Sequence, residues 1–280
     1  MNKKIIALIG NARRHIYFAK CLNDAFVLSG VVIEKKYSAG VRIPRFLKNT
    51  RYNPFFFLRK LYEKALLSKI DSRYERAETD ILWEGEKAAL PGGVPRAEVN
   101  DINGNAAKNF IARIRPDLVL VSGTSLIKPG LINVSGENKI INLHTGLSPY
   151  YRGGPCTFWC LYNEELEYLG ATVHFLTAGI DSGDIILSQR LTEIVPSDNE
   201  ATLDAKVVRL GTALMVEAIQ RYLEGNLEAV PQWEKGRNFL FRDHTFRKRV
   251  ELERKLRSGL IPRWLSENSN RFFEHIRTIG

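Results

Sequence analysis

The sequence predicts an α/β protein built on a doubly wound, mostly parallel sheet. Short apolar runs rich in β-branched residues alternate with amphipathic stretches to about residue 230, and the first three elements read strand, helix, strand. Strands in that order are parallel, because the helix between them carries the chain back across the sheet. Residues 232–280 are more basic and differ in composition, so we expect a main domain at 1–231 and a small C-terminal appendage.

The first elements follow from apolar spacing. Residues 5–9 form a strand, the chain turns at Gly10 and Asn11, and apolar residues then recur at helical spacing as far as Leu22. Residues 27–35 (VLSGVVIEK) supply the second strand.

A basic and aromatic insertion follows at about residues 37–84. Its stretch NPFFFLRKLYEKALLSKI is amphipathic and predicts a helix beginning just after Pro54. Aromatic residues of the insertion could stack on a nucleotide base, although most are expected to face the core; they are Tyr52, Phe55, Phe56 and Phe57.

The rest of the main domain continues the alternation. A helix is expected to end before Pro116, and a long helix should be closed by Gly225. Between them, strands are predicted in DLVLVSG, NKIINLH and both ends of LGATVHFLTAGIDSGDII, with a helix in PCTFWCLYN.

Composition narrows the class of protein. The apolar fraction of 44% and charged fraction of 26% are those of a soluble globular chain. No signal peptide or membrane-spanning stretch is visible, and three cysteines do not make a disulfide framework, so a cytoplasmic location is expected. Cys156 and Cys160 lack a complementary pair at metal-ligand spacing, and no metal site is predicted.

The net charge of +10 indicates anionic partners. It is concentrated between Lys35 and Arg76, with 12 basic and 3 acidic residues, and in 232–280, with 12 and 6. Nucleic acid, a membrane surface and a phosphorylated small molecule all fit this distribution.

Three polar residues point to chemistry. Asn142 and His144 are two apart on a strand and therefore share a face at its carboxyl end, where parallel sheets form their ligand crevices. Asp181 lies in a loop between Gly179 and Gly183 that also follows a strand. An amide, an imidazole and a carboxylate in one crevice suit attack on a carbonyl, and no serine or cysteine stands in a nucleophile-elbow motif.

The pattern INLHTGLSPYYRGG (141–154), followed by ATVHF and by Asp181 in GIDSGDII, closely resembles the 10-formyltetrahydrofolate-dependent formyltransferases, most of all the sugar N-formyltransferases. The resemblance is strongest at 118–189 and covers about 1–230, apart from the insertion after Lys35. It implies a Rossmann-like formyltransferase core and identifies Asn142, His144 and Asp181 as the catalytic trio. Asn142 and His144 would stabilise the oxyanion, and Asp181 would hold His144 and help proton transfer.

The same resemblance implies a pocket for the pterin of 10-formyltetrahydrofolate, formed by the segments 121–129 and 177–184. Backbone groups would read the pterin edge, and apolar side chains would cover its faces. The residues expected there are Thr124, Leu126, Ile127, Gly179, Ile180 and Asp184.

The acceptor substrate is expected to contact three further residues. Arg152 belongs to the loop after His144, and Asn11 and Arg13 lie in the turn that handles substrate phosphate in the related glycinamide enzyme. The sequence GNARRH lacks the dinucleotide fingerprint, so no dinucleotide is predicted. His174 lies mid-strand and is equally a core histidine or a site residue.

A nucleotide-linked amino sugar is the expected acceptor, because the insertion exceeds a minimal glycinamide enzyme and the tail is too short for a tRNA-binding barrel. The remaining alternatives are formylation of methionyl-tRNA, hydrolysis of formyl-folate, and a nucleic-acid-binding protein with an inactive catalytic domain. The tail could also bury Trp264, Phe272 and Phe273 between the subunits of a homodimer.

Overall fold

The computed structural model describes residues 3–35, 54–135, 140–177, 179–268 and 273–280. Tyr52 and Phe272, and the side chains of Phe55, Phe56 and Phe57, lie outside the described part, so their expected roles stay predictions.

The described residues form strands and helices in alternation. The strands are β1 (Ile5–Gly10), β2 (Gly30–Glu34), β3 (Arg96–Val99), β4 (Leu118–Ser122), β5 (Ile140–His144), β6 (Tyr151–Gly153), β7 (Gly170–Phe175), β8 (Ile185–Arg190) and β9 (Arg237–Phe239). The helices are α1 (Arg13–Phe26), α2 (Pro54–Ile81), α3 (Asn105–Ile114), α4 (Pro129–Ser135), α5 (Cys156–Tyr162), α6 (Glu200–Glu224), α7 (Phe246–Arg257) and α8 (Leu260–Asn268).

The main sheet has seven strands in the order β3-β2-β1-β4-β5-β7-β8. The first five strands in that order are parallel, whereas β7 runs antiparallel to both β5 and β8. The predicted doubly wound, mostly parallel α/β fold is therefore confirmed. The antiparallel β7 matters for the site, because it brings the middle of one strand beside the carboxyl end of another.

Alternation along the strands divides the core between the two faces of the sheet. In β1, Ile5, Ala7 and Ile9 belong to the apolar cluster that includes α1, α5 and α6, whereas Ile6 and Leu8 belong to the cluster with α3 and α4. All six residues of β1 are buried, as expected for a central parallel strand covered on both faces.

The predicted helix of the insertion extends further than its apolar pattern suggested, because its last turns pack against α6. Ala77 is buried there in a cluster with Ala201 and Val208 of α6. Two ion pairs flank the contact: Arg14 lies 2.8 Å from Glu78, and Arg73 pairs with Glu253 of α7.

The C-terminal residues pack onto the same core. β9 pairs in parallel with β6, which lies in the loop after His144, and Leu252, Leu260 and Ile276 share the apolar cluster of the main sheet. The domain boundary at residue 231 stays a prediction. Among the helices of the described ranges, none is both long and apolar enough for a bilayer crossing.

Candidate active site

The candidate site lies at the carboxyl end of β5. The β5–β7 register places Asn142 opposite His174 and His144 opposite Thr172. The loop between β7 and β8 then carries Asp181 back over both histidines. The structure thus brings together the three residues predicted from sequence and adds His174 to them.

His144 is enclosed by oxygen acceptors. Its Nε2 atom lies 2.9 Å from the Tyr151 carbonyl oxygen, and its Nδ1 atom lies 3.3 Å from Oδ2 of Asp181. A carbonyl oxygen can only accept, so the Nε2–H donates to Tyr151, and Nδ1 faces the Asp181 carboxylate. Since the side chain is only 6% exposed, it must exchange one of these contacts before it can donate to a substrate.

Asn142 is oriented by His174. The Nδ1 atom of His174 lies 2.8 Å from the Phe175 carbonyl oxygen, so Nδ1–H donates to that oxygen and Nε2 is left to accept from the Asn142 amide. The Asn142 amide nitrogen lies 3.1 Å from that Nε2 and 3.4 Å from Oδ1 of Asp181. One N–H of Asn142 therefore donates to His174. The other makes only a long contact with Asp181, and it can donate instead to an oxygen on which negative charge develops.

Asp181 is the hub of the cluster. Its carboxylate faces Nδ1 of His144, lies 3.4 Å from Nε2 of His174 and accepts the Gly153 N–H at 2.9 Å. Burial alone would raise the pKa of the Asp181 carboxyl, but the His144 ring and the Gly153 N–H outweigh it and hold that pKa well below its usual range. The group is thus an anion at neutral pH, suited to balancing positive charge rather than to accepting a proton at rest.

Glycines let the surrounding loops approach this closely. Gly153 has φ +80°, and a Cβ atom there would lie 2.1 Å from the Phe239 carbonyl oxygen. At Gly183 a Cβ atom would lie 1.8 Å from the Phe175 carbonyl oxygen. A side chain at either position would therefore displace a loop that contacts Asp181.

The residues expected around the pterin occupy different environments. Leu126 is 60% exposed and Ile180 is 38% exposed, so both present free apolar surface beside the site. Ile127 differs from the expectation: it is 3% exposed and packs in the core with α3 and α4, so its side chain has no free face to cover a ring.

The polar members of that set face their own loops. The Thr124 hydroxyl donates to the Ser125 carbonyl oxygen at 2.9 Å. Asp184 is exposed, and its carbonyl oxygen accepts the Phe175 N–H. Gly179 lies so close to Ser182 that a Cβ atom there would be 2.1 Å from the Ser182 hydroxyl. Their predicted pterin contacts remain untested.

The residues expected to contact the acceptor substrate are only partly free to do so. Arg13 does not face open solvent at the turn: it donates to the Thr79 hydroxyl at 2.9 Å and lies 3.9 Å from Glu75, because α2 packs against α1. Asn11 is exposed at the end of β1. The Arg152 guanidinium donates to the Lys235 carbonyl oxygen and thereby ties its loop to the tail.

Sequence reasoning left His174 undecided and missed Gln232. The ATVHF motif was a usable signal for His174, but its placement opposite Asn142 depends on an antiparallel strand. Gln232 donates to backbone carbonyls of the Asp181 loop, and nothing in the sequence pattern around it indicated this contact. Within the described residues, no group of His, Cys, Asp and Glu side chains is arranged to hold a metal ion.

Comparison with known proteins finds a matching family, curated relatives and solved structures of similar fold. The family described as Formyl transferase matches residues 86–219. The methionyl-tRNA formyltransferase of Chlorobium chlorochromatii is 31% identical over 161 residues, which are 58% of this chain and 49% of that protein. The chain spans about half the length of the curated relatives it matches.

Solved structures share the fold. A sugar N-formyltransferase from a Shewanella species superposes with a TM-score of 0.56 at 15% identity, covering 90% of this chain and 88% of that one. An N-formyltransferase from Helicobacter canadensis, solved in complex with folinic acid and dTDP-3-aminofucose, gives a TM-score of 0.52 at 15% identity, covering 87% of this chain and 72% of that one. The chain therefore shares the fold of these enzymes, and its residues 86–219 are similar to the formyl transferase family.

Proposed function

We propose that this protein transfers the formyl group of 10-formyltetrahydrofolate to the primary amine of a nucleotide-linked amino sugar. The observation that carries the proposal is the convergence of Asn142, His144 and Asp181 at the carboxyl end of β5. An amide N–H, an imidazole and a carboxylate held ionised are the groups that acyl transfer from an amide-like donor to an amine requires.

The formyl donor is supported by the family and by the environment of the site. The structural neighbour from Helicobacter canadensis was solved with folinic acid, a folate carrying a formyl group. Here Leu126 and Ile180, on the two loops beside the trio, are among the large apolar side chains left exposed. A flat heteroaromatic ring placed between these loops would cover them, and burial of each would favour binding by about 1–2 kcal/mol.

The chemistry assigns a role to each residue. The amine nitrogen attacks the formyl carbon, and the second N–H of Asn142 leaves Asp181 to donate to the oxygen on which negative charge develops. Asp181 balances the positive charge on the attacking nitrogen and on His144. Proton transfer through His144 lets the C–N bond to the folate break, which yields a formamide and tetrahydrofolate.

The choice of a sugar nucleotide rests on the extent of the likeness. The structural likeness to the Shewanella sugar N-formyltransferase covers 90% of this chain and 88% of that one, whereas the sequence likeness to the Chlorobium methionyl-tRNA formyltransferase covers 58% of this chain and 49% of that protein. The Helicobacter canadensis enzyme was solved with a nucleotide-linked amino sugar. The formylated product would enter a surface polysaccharide, and a cytoplasmic location, where both substrates are made, fits the proposal.

Methionyl-tRNA is the second candidate acceptor, because the curated relative at 31% identity carries that activity in its name. The clusters of basic residues fit it as well. Neutralisation of many phosphates makes tRNA binding steeply dependent on salt, so the two acceptors differ in a property that can be measured.

The test is tetrahydrofolate release from 10-formyltetrahydrofolate with amino-sugar nucleotides, glycinamide ribonucleotide, charged initiator tRNA or no acceptor. We expect turnover with one amino-sugar nucleotide and a loss of about 10²–10³-fold in Asn142→Ala. The matched control Asn226→Ala changes an exposed residue after α6 and should retain full activity.

Each other outcome replaces the proposal. Turnover with tRNA that falls steeply with salt would make the acceptor methionyl-tRNA, and turnover without any acceptor would make the protein a hydrolase. Absence of turnover with folded protein would leave an inactive domain that binds an anionic partner.

A further inference from the structure

The side chain of Gln232 connects the tail to the loop that carries Asp181. The Nε2 atom of Gln232 donates to the carbonyl oxygen of Asp181 at 2.8 Å and to that of Gly183 at 3.0 Å. Gln232 lies beyond the segment 86–219 that matches the family, and no sequence motif includes it.

The loop that Gln232 holds has an energetically unfavourable backbone conformation. Asp181 has φ +43°, a left-handed backbone that is unfavourable for a residue with a side chain. Such a backbone persists only where the surroundings hold it, and here the loop also needs Gly183 to pass against the Phe175 carbonyl. Two hydrogen bonds from one side chain, placed on either side of Ser182, oppose relaxation of this turn.

Both ends of the segment that carries Gln232 are anchored. Val230 and Ile185 exchange two backbone hydrogen bonds of 2.8 Å, which attach the segment to the start of β8. The Arg237 N–H donates to the Tyr150 carbonyl oxygen at 3.0 Å, and β9 then pairs with β6. Gln232 is thus held between the loop that carries Asp181 and the loop that follows His144.

We infer that Gln232 is a positioning residue for formyl transfer: it fixes the Asp181 loop so that the carboxylate meets His144, His174 and the Gly153 N–H together. This inference rests on the proposed function. It makes the tail a working part of the site, although Gln232 touches no reacting atom. Displacement of a catalytic group by about 1 Å can reduce the rate about 10²-fold, so the effect should be large.

Two variants of similar size separate positioning from packing. Gln232→Met fills the same space without donors and should lower kcat/KM by about 10–10²-fold. Gln232→Glu adds a negative charge opposite two carbonyl oxygens and should be more severely impaired than the Met variant. The control, Gln220→Met, makes the same change on the exposed side of α6 and should behave as wild type.

A titration of Asp181 supplies a readout that loss of stability alone would not move. Once the carboxylate drifts from its partners, the pKa of Asp181 should rise toward its ordinary value in Gln232→Met, which the 13Cγ chemical shift can follow. Wild-type activity and an unchanged Asp181 titration in this variant would overturn the inference. Because the titration needs no turnover, it tests Gln232 even if the wild-type protein transfers no formyl group.

Discussion

The Nε2 atom of His174 lies 3.1 Å from the amide nitrogen of Asn142, across the register of β5 and β7. Since His174 donates its other ring proton to the Phe175 carbonyl, this Nε2 atom is a fixed acceptor and selects the amide orientation of Asn142. In the opposite orientation, the side-chain oxygen of Asn142 would face Nε2 of His174 and the carboxylate of Asp181. Both are acceptors without a proton to donate, so this orientation is unfavourable.

Replacement of the acceptor at His174 should therefore impair Asn142. We expect His174→Phe to lower kcat by about 10–10²-fold. Without the acceptor on His174, Asn142 keeps its N–H groups but holds them toward the oxyanion for only part of the time. His174→Gln can still accept through its amide oxygen and should recover most of the activity. Steady-state kinetics at saturating formyl donor measure the difference. Equal activity in wild type and His174→Phe would show that the contact does not orient Asn142.

Loss of the carboxylate at Asp181 should be more severe. Asp181→Asn keeps the shape of the side chain but leaves His144 without a balancing charge, and we expect kcat to fall by about 10²–10⁴-fold. Circular dichroism and thermal unfolding check that the variant is folded. Asp80→Asn, at an exposed position near the end of α2, is the matched control. Near-normal kcat in Asp181→Asn would remove Asp181 from the mechanism.

Local sequence patterns were sufficient to predict some of the site residues but not the contacts that depend on the tertiary fold. Asn142 and His144 follow from the two-residue period of a strand, and Asp181 from a glycine-flanked loop after another strand, so local pattern and family motif together located the trio. His174 was recognisable as polar, but its role needed the antiparallel register of β7 against β5.

Contacts between distant segments escaped prediction. Arg13 was expected at an open turn, but the insertion helix lies against it and supplies Thr79 and Glu75 as partners. Ile127 was expected on the pocket surface, yet it turns into the core while its neighbour Leu126 stays exposed. Adjacent apolar residues in a loop carry no periodicity, so their burial could not be assigned from sequence.

That difference between Leu126 and Ile127 gives a paired prediction. Leu126→Ser should raise the KM for the formyl donor by about 10-fold with little change in stability, because it removes apolar surface covered only on binding. Ile127→Ser should lower the free energy of unfolding by about 2–4 kcal/mol, since it empties a buried site and places a hydroxyl there. Donor titrations and urea unfolding of both variants distinguish the effects. A common effect of both changes would contradict the assignment of Leu126 to the pocket.

The last prediction concerns stability in mild acid. The His244 ring packs against Phe158 with ring centroids 4.3 Å apart, and its Nε2 atom accepts from the Arg249 guanidinium at 2.8 Å. Burial first, and then the charges of Arg249 and Lys248, lower the pKa of His244 from 6.5 to about 4. A folded-state pKa below the unfolded value means that the unfolded chain binds the proton more readily. The contribution of neutral His244 to the free energy of unfolding is therefore fully present above about pH 6.5 and is lost as the pH falls toward 4. For this one group, the free energy of unfolding should drop by about 2 kcal/mol between pH 7 and pH 5.

Urea unfolding of wild type and His244→Gln at both pH values measures this drop, because the variant keeps an acceptor for Arg249 but cannot titrate. Other titrating groups such as Glu78 and Glu200 are present in both proteins, so their contributions to the pH dependence cancel in the comparison. His275→Gln, which replaces an exposed histidine, should retain the wild-type pH dependence. If His244→Gln lost as much stability as wild type over this range, His244 would not be the group responsible.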